Sequence, residues 1–100
     1  MLGFIGGPPL DPESITACFL FDPKSGRIVH RHEVVNFPGA TRLEARQIES
    51  EAYRLAAVQG YNVSELKALL LSSGDYSTAK CYRVDTSTLR LVEVPRPSFS

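Results

Sequence analysis

Two stretches 63 residues apart repeat one pattern: a β-branched and aromatic run, an aspartate-led turn, and a second β-forming run. Cys18 to Val29 lies over Cys81 to Val92 without a gap, and Cys, Asp, Arg and Val coincide at four positions. Each stretch predicts a β-hairpin, because strand-forming residues flank turn chemistry on both sides. In the first, Pro23 presets φ for the turn, Asp22 can accept bonds from the turn amides, and Gly26 supplies a left-handed residue. In the second, Leu89 stands where the first has Gly26, so a different backbone path is expected there. Strands are expected over 15–21, 27–37, 79–84 and 89–94, with Pro95 and Pro97 ending the last.

Between the hairpins, Thr41-Arg42-Leu43-Glu44 reads as a capping box that opens a helix. Ala45, Ile48, Ala52, Leu55 and Ala56 form the narrow apolar stripe of a helix lying on a sheet, and Gly60 fits its C′ position. Arg46, Glu49, Glu51 and Arg54 read as its solvated face, with one or two weak ion pairs. Residues 66–72 are leucine-rich and could be helix. The run is short and bounded by turn signals, which favours a buried strand.

The expected fold is therefore α+β: an antiparallel four- or five-stranded sheet built from two β-hairpins, with one amphipathic helix packed on one face. One hundred residues leave room for a single domain, placed at 14–95. Residues 1–13, rich in Gly and Pro, read as a flexible arm that Leu2, Phe4 and Ile5 could dock, and 96–100 as a tail. The apolar start has no basic flank and is not expected to be a signal peptide. No run approaches the roughly 20 apolar residues of a membrane span. Two cysteines without disulfide-type spacing suggest free thiols, and cytoplasmic localisation is expected.

Eleven basic and eleven acidic residues balance, which argues against nucleic acid or anionic membrane as partner. The arginines Arg27, Arg31, Arg83 and Arg90 lie among Phe19, Phe21 and Tyr82, but Asp22, Glu33, Asp85 and Glu93 offset them. No motif carries a reaction and no cofactor is expected. His30 and His32 stand two apart on a strand and so share a face, and Glu93 on the second hairpin could join them as a metal or small-ligand site. Cys18 could serve as a nucleophile beside a histidine, but a regular hairpin with Asp22 facing Arg27 puts His30 and Cys18 on opposite faces.

The same register puts Phe19, Phe21, Ile28 and His30 on one face and Cys18, Leu20, Val29 and Arg31 on the other. In the second hairpin Tyr82, Val84, Leu91 and Glu93 oppose Cys81, Arg83, Val92 and Val94. The bulkier aromatic face is expected to meet the helix. Leu20, Val29, Val92 and Val94 would then form an apolar surface, with Arg31 and Arg83 at its rim, suited to a homodimer. The expected function is a small non-catalytic protein-interaction module that self-associates through that face or an edge strand. Two other readings are open at this level: a small-ligand or metal-binding domain using His30, His32 and Glu93, and an accessory domain that regulates a larger partner protein, with the arm and tail as segments the partner could order.

Overall fold

A computed structural model describes residues 14–39, 43–77 and 79–95. The arm at 1–13, the tail at 96–100 and Thr41 lie outside the described residues. In chain order the elements are β1 (Ser14–Phe21), β2 (Ile28–Asn36), α1 (Ala45–Val58), β3 (Lys67–Ser72), β4 (Cys81–Asp85) and β5 (Arg90–Val94). Short 3-10 turns at Val63–Glu65 and Ser73–Asp75 bracket β3. The class is α+β, as the sequence implies. The single sheet is not: the strands form an antiparallel sheet in the order β2-β1-β3 and a separate β4-β5 ribbon.

The run at 66–72 is a strand because it completes the first sheet beside β1, with Cys18 opposite Leu70 and Phe19 opposite Leu69. Leucine's helix propensity, a few tenths of a kcal/mol per residue, is overridden by that pairing. The helix begins later than the Thr41 box suggests. Glu44 is its N-cap, and the Glu44 N–H donates to Gln47 Oε1 at 2.8 Å. Its end matches expectation. Gly60 sits at φ +98, the Gly60 N–H donates to Ala57 O and the Tyr61 N–H to Ala56 O, which is a Schellman closure. On the outer face Arg54 pairs with Glu51, and Arg46 lies 3.8 Å from Glu44.

The first hairpin departs from a regular ladder at one point. Asp22 does face Arg27, its N–H donating to Arg27 O at 2.9 Å. One residue on, Phe21 pairs with Ile28 but Leu20 pairs with His30, leaving Val29 as a bulge. That extra residue inverts the parity of everything beyond it. Cys18, Leu20, His30 and His32 share a face, whereas the unbulged register separates them.

The helix covers this face and not the aromatic one. Cys18, Leu20, Ile48, Ala52 and Ala56 form one buried cluster, with Val29, Val34, Ala68 and Leu70 packed against it. An alanine-lined helix approaches a sheet closely, which suits Cys18 and Leu20 better than two phenyl rings. Phe19 and Phe21 are also buried, but on the other side. Tyr76 meets Phe19 edge to face at 5.3 Å, and Tyr82 lines a hollow beside it. There the second hairpin closes on the first: the Val84 N–H donates to Gly26 O at 2.8 Å, and Val84 is fully buried. The β4-β5 register places Cys81, Arg83, Val92 and Val94 on one face and Tyr82, Val84, Leu91 and Glu93 on the other, as the alternation implies.

The two turns are alike despite Leu89. In the first, Asp22 O accepts from the Gly26 N–H (2.8 Å) and Asp22 Oδ1 from the Lys24 N–H (2.8 Å). In the second, Asp85 O accepts from the Leu89 N–H (2.7 Å) and Asp85 Oδ1 from the Ser87 N–H (2.9 Å). The Ser87 and Thr88 amides hold the Asp85 carboxyl below its ordinary range. The expected change of path does not occur. Leu89 adopts φ +56, beside +79 at Gly26, because the aspartate bonds dictate the left-handed residue. A left-handed Leu costs about 1–2 kcal/mol, and Leu89 is 53% exposed, so its side chain recovers little. Leu89→Gly is therefore expected to raise stability by about 0.5–1 kcal/mol after the entropy cost of glycine. Urea unfolding measures this. A loss of stability would show that Leu89 is held by contacts that outweigh the strain.

Candidate functional site

The residues singled out by sequence do not form one surface. Leu20 has no solvent exposure and so presents no surface to a partner, and half-buried Val29 packs against the same cluster. Both lie beneath the helix because the helix takes the Cys18–Leu20 face. Arg31 lies on the opposite side of β2, 3.7 Å from Glu33. Arg83, Val92 and Val94 share a face of the separate β4-β5 ribbon.

The candidate ligand triad is likewise divided. His30 and His32 do share a face. His30 Nδ1 is 3.3 Å from Gln59 Oε1 at the end of α1, and its Nε2 is buried without a hydrogen-bond partner among the described residues. His32 lies near enough to Glu51 to act on its charge. Glu93 is on β5 and pairs with Lys80 at 3.4 Å. Among the described residues no group of three or more His, Cys, Asp or Glu side chains could hold a metal ion.

The bulge removes the parity objection to a Cys18–histidine pair, since Cys18 stands directly across from His32 in the ladder. Thiol chemistry is disfavoured for a different reason. Burial, with the Glu49 carboxylate nearby, pushes the Cys18 thiol up to about 12, so the nucleophilic thiolate is scarce near neutrality. Tyr76 is also pushed up to about 12, by burial and by the 2.6 Å bond its hydroxyl donates to Glu33 Oε2. It acts as a strut from the loop after β3 to β2.

What stands out instead is the contrast between the two edges of the three-stranded sheet. The β2 edge is broken by the Val29 bulge and carries Arg31 and Glu33, features that discourage further strand pairing. The β3 edge has no bulge, and its one charged residue is Lys67 at the start. Ala68-Leu69-Leu70-Leu71 has no charge, proline or bulge, and no strand pairs with its outer side among the described residues. Ala68 and Leu70 turn toward the helix cluster, while Leu69 and Leu71 lie on the Phe19 face, all partly exposed. The ends are held locally. The Leu66 N–H donates to Val63 O at 3.1 Å before the strand, and the Ser72 N–H to Asp75 Oδ2 at 3.2 Å after it.

The apolar run was visible in the sequence. Its position at an edge was not, because that depends on β1 being central, a long-range pairing without a local signal. Comparison with known proteins finds no family model, curated protein or solved structure that matches this chain. Among the described residues no helix is long and apolar enough to cross a membrane.

Proposed function

We propose that this chain is a non-catalytic protein-interaction module that works as a two-fold homodimer joined through β3. The observation that carries this reading is the uncharged, unbulged Ala68–Leu71 stretch of β3, a row of backbone donors and acceptors with no further strand on its outer side among the described residues. A second copy suits it because an antiparallel pair is self-complementary about a two-fold axis. Leucines of Ala68–Leu71 then meet leucines, and the Lys67 of each copy falls at opposite ends of the junction. The product is one continuous six-stranded sheet in the order β2-β1-β3-β3-β1-β2.

Light scattering on size-exclusion fractions across a concentration series tests it. The wild-type chain should be a dimer, and Leu71→Lys, which sets two like charges at the junction, should weaken association by roughly a hundredfold. Circular dichroism checks that the variant is folded, and Leu69→Lys gives a second probe of the same strand. A monomer at high micromolar concentration would reject the proposal. So would a dimer that neither substitution weakens.

A further inference from the structure

At the Lys67 end of β3, outside the Ala68–Leu71 edge, lies a cleft of about 470 Å³, within the range of small-molecule sites. One wall is the β1–β2 turn at Asp22, Pro23 and Lys24; the other is the chain from Tyr61 to Lys67. Both walls are built before any ligand arrives. The turn is tied by the Asp22 bonds, and Tyr61 is placed by the Schellman closure at Gly60. On the second wall Ser64 Oγ donates to Asn62 Oδ1 at 2.7 Å, and the Tyr53 hydroxyl donates to Leu66 O at 3.3 Å.

The side chains facing this space have unused capacity of both signs. Lys24 and Lys67 take part in no ion pair among the described residues. Asn62 has its Oδ1 satisfied while its Nδ2 donates to nothing described. These three are donors for a carboxylate. Glu65 has no side-chain partner among the described residues, and Asp22 uses only Oδ1, for the Lys24 N–H. These two are acceptors for an ammonium group. The Tyr61 ring, 42% exposed, and the half-buried Leu66 supply apolar surface to the same cleft. A simple anion would leave the carboxylates repelling it, and a simple cation would face the lysines; an occupant with both charges and an apolar body satisfies every group.

We propose that the cleft between the β1–β2 turn and the Tyr61–Lys67 segment binds a free α-amino acid with an apolar side chain. Its carboxylate meets Lys24, Lys67 and Asn62, its ammonium meets Glu65 and Asp22, and its side chain lies on Tyr61 and Leu66.

Calorimetric titration of the full chain with L-leucine and L-phenylalanine tests this, with acetate, N-acetyl-L-leucine and L-leucinamide as partial mimics. Both amino acids should bind, and each capped analogue should bind about tenfold or more weakly, as expected for losing one charge-assisted interaction. Lys67→Met and Glu65→Gln, both at exposed positions, should each weaken leucine binding by about tenfold or more, with Lys24→Met as a variant outside β3. Absence of binding by either amino acid overturns the proposal. Equal binding of acetate or of N-acetyl-L-leucine overturns the ligand class, and leucine binding unchanged in all three variants overturns the site. Oligomeric state, read separately by light scattering, does not enter these outcomes.

Discussion

Gly26→Ala should lower stability by about 3 kcal/mol or more, combining a left-handed residue's penalty with overpacking. Gly26 is at φ +79, where any side chain is strained, and an added Cβ would lie 1.9 Å from the Val84 carbonyl oxygen. Nothing at that contact is flexible. Relief requires the second hairpin to move away, which also breaks the 2.8 Å bond from the Val84 N–H to Gly26 O. Gly60→Ala is the matched control, since Gly60 is at φ +98 with nothing within 4 Å of its would-be Cβ. It should lose only the conformational part, about 1–2 kcal/mol. Urea unfolding of the two variants measures the difference. Equal losses would mean that Gly26 matters for its turn alone and that the hairpins are not locked together there.

Leu20→Ala should cost about 3 kcal/mol, within the range for a buried leucine. Leu20 sits on the central strand under α1 among Cys18, Ile48, Ala52 and Ala56, and its exposure is 0%. Loss of its side chain leaves a void that a helix pinned by the Gly60 closure cannot readily fill. The denaturation midpoint should fall with an unchanged slope if the native and unfolded states stay equally compact. A loss below about 1 kcal/mol would be the size expected of a surface position, and would return Leu20 to the list of interface candidates.

Much of the fold is legible in local chemistry. The hairpin turns follow from Asp22-Pro23-Lys24-Ser25-Gly26 and its counterpart from Asp85, the helix from its Ile48, Ala52, Ala56 spacing, and its end from Gly60. The strand at Lys67–Ser72 is less legible, since the leucines are compatible with either state until β1 is beside them. The candidate site divides along the same line. That His30 and His32 share a face follows from their spacing alone, but their separation from Glu93 required knowing that the second hairpin forms its own ribbon. The cleft at Lys24 and Lys67 joins two turn segments that are far apart in sequence, and neither carries a sign of the other.

Outside the leucine run at 66–72 and the first turn of the helix, the sequence by itself determined which residues are strand, turn and helix, because those choices rest on periodicity, turn geometry and capping within a few neighbouring residues. Tertiary structure decided which face of the sheet meets the helix. Alternation along β1 offers two apolar faces, Phe19 with Phe21 and Cys18 with Leu20, so pattern alone cannot choose between them. The choice is made by packing: a helix lined with alanine fits the smaller side chains, and the second hairpin, seated against Gly26, closes over the rings. One unpaired residue at Val29 then sets which side chains of β2 follow, since a shift of one in a period of two turns every side chain beyond it to the other face.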